Sequence, residues 1–365
     1  MGRIKLTRPT IAEINLSSIQ QNVIQLKKIS PNSLCYPVVK ANAYGHGLKK
    51  VVEAIDALIN GYCVATSEEA INLRRLTSKS IVCLEGPYNS NELRSLILKN
   101  IDFVIHSHRQ LVFLNKEEIP MSVKIWLKLD TGMNRLGFNF IEAKNAYLKI
   151  LKKTNNIVLM SHFSSAAGTK TSLDKSKKQI QEFTKLEKKL KKLGGNTLSS
   201  LCNSGGLLNY KKSHKDIMRP GIAIFGVNQK ETGKKITLKP ALTLKSKFIS
   251  IKEVKKGDKV GYDGSWSAKK DSVIGILPIG YADGYPVTLS NNGYVLVNGK
   301  KANVIGRISM DLIAIDLTSL SNVDYESVVI LYGKGLPIEV ISKLAGIIPY
   351  SLMTSLTERV KKKYI

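Results

Sequence analysis

From Cys35 to Pro220 the chain alternates strand-like and helix-like text eight times. The apolar runs are CYPVVK, GYCVA, SIVCL, IDFVIH, VKIWLKL, NIVLMSHF, TLSSLCN and DIMRP. Amphipathic stretches such as LKKVVEAIDALI, SEEAINLRRLT, NELRSLILKN and LDKSKKQIQEFTKLEKKLKKLG separate most of them. Strands that are apolar without alternation belong in a parallel sheet covered on both faces. Eight such strands with crossover helices, in roughly 200 residues, fit a closed (β/α)8 barrel. A doubly wound open sheet is the alternative. No G-x-G-x-x-G opens the first crossover, which counts against its nucleotide-binding form. Ahead of the barrel, TIAEINL reads as a strand. Ser17 then reads as a helix cap, with Gln20 at the capping-box position and the helix running to about Ile29.

Near Pro240 the texture changes. ALTLKSKFISIKEV, DSVIGILPIGYA, GYVLVNGKKANVIGRI, DLIAIDL and YESVVILYG alternate as half-buried strands do, with turns such as Asn298-Gly299 between them. IEVISKLAG and YSLMTSLTERVKKK read as two closing helices. The fold class is therefore α/β, an N-terminal (β/α)8 barrel followed by a mainly antiparallel C-terminal β domain. The barrel is placed at 10–238 and the β domain at 239–365. Residues 1–9, and with them the strand near Ile11, can belong to the β domain.

The 365 residues are 43% hydrophobic, enough for two packed cores. No run of about eighteen apolar residues offers a membrane span. The opening has no apolar core of signal-peptide type, and Leu6 stands where a myristoylation signal needs Ser or Thr. Cys35, Cys63, Cys83 and Cys202 have no metal-ligand spacing and fall in or at the end of apolar runs. They read as reduced core thiols of a cytoplasmic protein, with no metal expected. A net charge of +28 raises the possibility of a nucleic-acid binder. The lysines are scattered over polar helix faces without aromatic interleaving, so they read as a solvated surface, and no nucleic-acid or membrane partner is expected.

In a (β/α)8 barrel the chemistry sits at the C-terminal ends of the strands. Lys40 ends the first strand. Arg135 lies just beyond the fifth, His162 ends the sixth, Asn203 and Ser204 the seventh, and Arg219 the eighth. Each alone could be loop solvation; together they mark one rim as a site. The last two loops, NSGGLL and RPGIAIFG, are rich in small residues and let backbone N–H groups approach an anion. A lysine facing a phosphate site across a barrel mouth suits pyridoxal 5'-phosphate. The lysine forms a Schiff base with the aldehyde, the phosphate anchors the far end, and an arginine faces the ring nitrogen.

VVKANAYGHG, LKLDTGMNRLGF, MSHF, CNSGG, RPGIAIFG, VGYDGSW, PIGYADGYP and GRISMDL stand in the order seen in bacterial alanine racemases, and the chain resembles that family over nearly its whole length. The resemblance implies a fold-type III, pyridoxal-phosphate-dependent racemase that interconverts L- and D-alanine by two-base proton transfer and supplies D-alanine for peptidoglycan. Lys40 then matches the cofactor lysine and first base, and Tyr262 the second base, reaching the partner subunit's site in a homodimer. Tyr44, Ser204, Gly221 and Ile222 match phosphate contacts, while His46 supports the loop. His162 and Arg219 match a hydrogen-bond chain that helps Tyr262 ionise; Arg219 also faces the ring nitrogen, leaves it unprotonated and limits side reactions. Asn203 joins the cofactor set. Arg135 and the backbone of Met310 match substrate-carboxylate contacts. Lys128 matches a lysine carbamylated in some members, bracing Arg135. Tyr281 matches a gate residue at the substrate entrance, with Asp311 beside it.

Two departures stand out. Some members carry a further phosphate-contacting tyrosine where this chain has Glu358, and many carry an acidic residue in the stretch that here reads SSAAG. Racemisation of serine or of basic amino acids, and a non-catalytic pyridoxal-phosphate-binding protein, are the other readings. The second domain with Tyr262 speaks against the last.

Overall fold

The computed structural model describes residues 8–166, 170–228 and 236–365. The expectations for residues 1–7 and for the end of the SSAAG stretch lie outside them. The chain divides into two compact units. One contains Ile19–Ala43 and Leu48–Lys239; the other contains Tyr44–Gly47, Pro240–Ile365 and the described part of Met1–Ser18.

The first unit is the barrel. After β1 (Ile11–Ile14) come β2 (Leu34–Cys35), β3 (Gly61–Val64), β4 (Ser80–Cys83), β5 (Asp102–Ile105), β6 (Ile125–Lys128), β7 (Asn156–Met160), β8 (Asn196–Ser200) and β9 (Ile217–Met218). β3 to β8 form one parallel sheet in sequence order, and β2 pairs in parallel with β9. The ring closes on both sides of that pair. Val38 bridges Cys63, with Val39 N–H donating to the Cys63 carbonyl at 2.9 Å. Arg219 N–H donates to the Cys202 carbonyl at 3.1 Å. Every residue of β3, β5 and β6 is buried, as strands covered by crossover helices on one face and a filled interior on the other must be.

Five of the helices that follow barrel strands begin on a capping side chain. Thr66, Asn89, Ser107, Asn139 and Asn203 accept a backbone N–H of the first turn, and Asn139 completes a capping box with Glu142. These caps fix the loops of the C-terminal rim.

In the second unit, β1 joins β10 (Leu242–Ser246), β11 (Ser250–Val254), β14 (Ser272–Leu277), β15 (Tyr294–Val297), β16 (Lys300–Ile305), β17 (Ile313–Asp316), β18 (Val329–Tyr332) and β19 (Lys361–Tyr364). They form a nine-stranded sheet, and β12 (Lys259–Val260) and β13 (Trp266–Ser267) form a separate small hairpin. All pairs are antiparallel except β1 with β19. The fold class expected from the sequence is the one observed.

Two local expectations are corrected. The first helix starts at Leu16, and its cap is Asn15, whose Oδ1 accepts from Ser18 N–H at 2.8 Å and from the Ser17 hydroxyl. Asn is as good a cap as Ser, and here it sits one turn position better. Gln20 does not return to the cap; it donates to the Ala54 carbonyl. At the other end, the closing helix stops at Thr354, and Lys361–Tyr364 is a strand. Its backbone finds a ladder beside β1, while Lys361 and Lys363 stay exposed.

Candidate active site

Lys40 is the exposed first residue after the buried run Cys35–Val39. The chain then turns left-handed: Ala41, Asn42, Ala43 and Tyr44 have φ of 51°, 53°, 54° and 51°. Consecutive L-residues in this conformation cost roughly 1–2 kcal/mol each. Hydrogen bonds hold the turn. Glu69 accepts from Ala41 N–H at 2.7 Å with one carboxylate oxygen and from Ala65 N–H at 2.8 Å with the other. Asn42 Oδ1 accepts from Leu48 N–H at 2.7 Å, and Ala43 N–H donates to the Val39 carbonyl. The lysine is therefore presented by a strained, braced turn, the kind of backbone found at functional sites.

Across the barrel mouth, Lys128 ends β6 and is buried. Burial first, then the charges of Arg135, Arg219 and Lys40, outweigh Asp130 and bring its amine down to about 8. Arg135 is exposed, on a loop that Asp130 Oδ1 gathers by accepting the N–H groups of Gly132, Met133 and Asn134. The loop returns to its strand through Phe138, whose carbonyl accepts from Asp130 N–H at 2.9 Å. Gly137 is required there: with φ of +121°, a Cβ would lie 2.8 Å from Asp130 N.

His162 lies beyond β7. Burial, then Arg219, Lys128, Arg135 and Lys40, hold its imidazole neutral, with a pKa near 3. Asn203 Nδ2 donates to its Nε2 at 3.4 Å, which places the ring proton on Nδ1. Arg219 is buried, with Nη2 donating to the Ser161 carbonyl at 2.7 Å and Nη1 to the Ser200 hydroxyl. Lys40, Lys128, Arg135, His162 and Arg219 thus share one electrostatic environment within the barrel.

Beside them two short helical segments meet end-on. Asn203 caps Ser204–Asn209, and Gly221 precedes the 3-10 turn Ile222–Phe225. Ser204 Oγ accepts from Gly221 N–H at 2.9 Å and Ala223 N–H at 3.2 Å. A serine hydroxyl and two backbone N–H groups gathered at one point, with an exposed lysine amine on the same rim, are groups that a phosphate-bearing aldehyde such as pyridoxal phosphate can use.

In the second unit, Tyr44 is buried with its ring 5.8 Å from that of Tyr350, and His46 donates from Nδ1 to the Tyr44 carbonyl. Glu358 is exposed. Tyr262 stands exposed on a tight turn in which Gly261, Asp263 and Gly264 all have positive φ, and Asp263 pairs with Arg307 at 2.5 Å. Tyr281 and Met310 are exposed on two loops that touch backbone to backbone. Ala282 N–H donates to the Met310 carbonyl at 3.0 Å, and a Cβ on Gly280 would lie 2.4 Å from that carbonyl. Under these loops Asp283 is fully buried and takes both ends of the Arg8 guanidinium, at 2.6 and 2.7 Å. Arg359 lies 3.4 Å from Asp283 and 2.5 Å from Asp311. Burial alone would raise the Asp283 carboxyl, but Arg8, Gly280 N–H and Arg359 hold it below the usual carboxylate range.

The bracing groups Glu69, Asn42, Ser200, Asp283, Arg8 and Arg359 were not singled out from the sequence. The signal for Asp283 was present in GYADG, between two glycines that admit a close backbone contact.

Residues 14–229 match the family described as alanine racemase, N-terminal domain, and residues 241–364 match alanine racemase, C-terminal domain. The alanine racemase of Haemophilus influenzae is 38% identical over 363 residues, spanning 98% of this chain and 99% of the relative. That of Coxiella burnetii is 39% identical over 362 residues, 96% and 97% of the two chains. Among solved structures, the biosynthetic alanine racemase of Pseudomonas aeruginosa superposes with a TM-score of 0.90 at 34% identity, over 98% of this chain and all of the other. The alanine racemase of Bartonella henselae, solved with covalently bound pyridoxal phosphate, superposes with a TM-score of 0.87 at 29% identity, over 98% and 100% of the two chains.

Proposed function

The chain belongs to the alanine racemase family, and on that premise we propose that Lys40 and Tyr262 are the two bases of its reaction. The enzyme is a pyridoxal-phosphate-dependent isomerase that interconverts L- and D-alanine. When bound, the cofactor acidifies the substrate Cα proton by delocalising the electron pair left behind. The protein must then remove that proton from one face and return one to the other, which asks for two bases.

Lys40 would hold the cofactor covalently and serve one face. Tyr262 serves the other and needs help, because a free phenol ionises near pH 10. His162, held neutral, and buried Arg219 are assigned to the chain of groups that prepares Tyr262 for this role. Arg219 can donate but not accept, so it would leave a cofactor ring nitrogen beside it unprotonated. Ser204, Gly221, Ile222, Asn203 and Tyr44 hold the phosphate end of the cofactor. Arg135 and the Met310 backbone bind the substrate carboxylate, Lys128 braces Arg135, and Tyr281 narrows the approach beside Asp311. Most of the assigned cofactor contacts fall in the stretch expected as the barrel, 10–238, and the second base in that expected as the β domain, 239–365; Tyr44 groups with the second compact unit.

The observation that carries this reading is the gathering of Lys40, Lys128, Arg135, His162 and Arg219 at one barrel rim. The working unit is a homodimer with shared sites, supplying D-alanine for peptidoglycan. A cytoplasmic setting is supported by four cysteines that are all buried and unpaired. Among the described residues, no helix is long and apolar enough to cross a membrane. The test is direct: borohydride reduction should fix the cofactor on the peptide containing Lys40, and L-alanine should be converted to D-alanine. Label on another lysine sinks the assignment of Lys40.

A further inference from the structure

The helix Lys170–Lys191 buries a stripe that turns polar toward its N-terminal end, where Ser172, Ser176 and Gln179 precede Phe183. Gln179 is 3% exposed, and its amide uses all four hydrogen-bonding positions. Nε2 donates to the His162 carbonyl at 3.0 Å and to Thr131 Oγ1 at 3.3 Å. Oε1 accepts from Ser164 N–H at 3.0 Å and from the Ser164 hydroxyl at 3.1 Å. The neighbours fix the amide's orientation: the His162 carbonyl can only accept, and the Ser164 N–H can only donate.

The hydroxyls beyond it are ordered in the same way. Ser161 Oγ gives its one proton to the Leu129 carbonyl at 2.8 Å. Thr131 must therefore donate to Ser161 Oγ, 2.8 Å away, which leaves Thr131 Oγ1 free to accept from Gln179. Thr131 belongs to the loop that carries Arg135, and Ser164 to the loop that carries His162. The Ser161 carbonyl is the one that receives Arg219 Nη2 at 2.7 Å.

We propose that Gln179 is a positioning residue for racemisation: its side-chain amide ties the Arg135 loop to the His162 loop and, through Thr131 and Ser161, to the anchor of Arg219. The proposal rests on the assignment of Arg135, His162 and Arg219 to the site. Burying an amide is costly unless every group is bonded, and an apolar side chain of the same length would seal the helix against the barrel without that cost. Holding two loops in a fixed relation is what the amide adds.

The test uses holoenzyme. Wild-type protein that carries no cofactor and racemises nothing would defeat the functional assignment itself, and it is measured before any variant. Gln179→Met keeps length and shape without the hydrogen bonds. It should load cofactor and melt as the wild type does, yet lose about tenfold to a hundredfold in kcat/KM, as loosened positioning does. The visible circular dichroism of the bound cofactor should change with it. Thr131→Val should shift both readouts the same way by less, and the double variant should be no worse than Gln179→Met alone, because residues in one network do not act additively. Wild-type kcat/KM and dichroism in Gln179→Met, or effects that multiply in the double variant, overturn the proposal. Should Gln179→Met fail to fold, Thr131→Val decides alone, and wild-type behaviour in it overturns the proposal.

Discussion

In the barrel, Lys128, Ser204, Arg219 and Ile222 are 7%, 3%, 2% and 1% exposed; in the β unit, Tyr262, Tyr281 and Met310 are 65%, 46% and 52% exposed. The barrel side is finished within its own unit. Lys128 and Arg219 are desolvated there, while Lys40 and Arg135 are exposed, and both Nη atoms of Arg219 are held by protein acceptors. The β side presents large side chains to solvent; Asp283 braces the Tyr281 loop by accepting Gly280 N–H, and Asp263 pairs with Arg307 at the Tyr262 turn. Apolar and aromatic surface held rigidly in the open is what an interface between copies requires. The contrast is between buried Lys128 and Arg219 in the barrel and exposed tips in the β unit, and the proposal of shared sites turns on it.

The largest effect should come from separating the two sides. Lys40→Ala and Tyr262→Phe should each lose about a hundredfold or more of activity, as removal of a catalytic base does. After mild denaturation and refolding of equal amounts, about half the dimers are mixed and each has one intact site, so about a quarter of wild-type activity should return, as an isologous dimer dictates. Differently tagged chains report whether exchange occurred. Mixed dimers that bind cofactor and stay inactive would break the shared-site reading.

Next in size is Arg219→Glu. A carboxylate facing the ring nitrogen favours its protonation, and turnover should fall by about a hundredfold, comparable to loss of a buried electrostatic contact. The visible spectrum of the bound cofactor should change as well. An unaltered spectrum and rate would mean that Arg219 does not face the ring.

Asp283→Asn probes the base of the β side. It strands Arg8 and Arg359 beside a buried neutral amide and should destabilise the chain by about 3 kcal/mol. The sign with pH follows from the lowered carboxyl. Its contribution is complete above the unfolded pKa and is lost as pH falls through the folded value, below the usual carboxylate range. Melting temperature against pH should therefore show a flatter acid limb in Asp283→Asn. An equally steep limb would show that the acid sensitivity lies elsewhere.

The smallest effect is expected at Lys128. With its amine near 8, about half is neutral at that pH and open to carbamylation by carbon dioxide. Such an anion would pair with Arg135. Lys128→Ala should raise KM for alanine by about tenfold through a looser Arg135, with less change in kcat. An unchanged KM would remove Lys128 from the support of the carboxylate contact.

The rim residues were legible because each stands at the end of an apolar run, where the barrel architecture puts chemistry. Lys40, His162 and Arg219 are put on that rim by their place at strand ends, and Arg135 by the loop just beyond the fifth strand. The bracing groups could not be placed that way. Glu69 sits on the helix after the second barrel strand and reaches back to Ala41, 28 positions away. Arg8 reaches Asp283 across 275 positions. Contacts of that span have no local periodicity to betray them. Gln179 left one trace, polar residues on an otherwise apolar helical stripe, which hydrophobic periodicity alone treats as noise. The lysine-rich terminus misled for a related reason: pairing with β1, a partner distant in the chain, decides that it is a strand.

The turn after Lys40 also has a stereochemical consequence. For four residues the backbone runs in the mirror-image sense, so L-residues there occupy dihedrals natural to D-residues. A chain assembled by chemical ligation with D-alanine at position 41, whose side chain is exposed, would relax about 1–2 kcal/mol at that position. The same inversion in a right-handed crossover helix would cost a similar amount. An enzyme that interconverts the two hands of alanine would then hold Lys40 beside a place where the D-hand is the better fit.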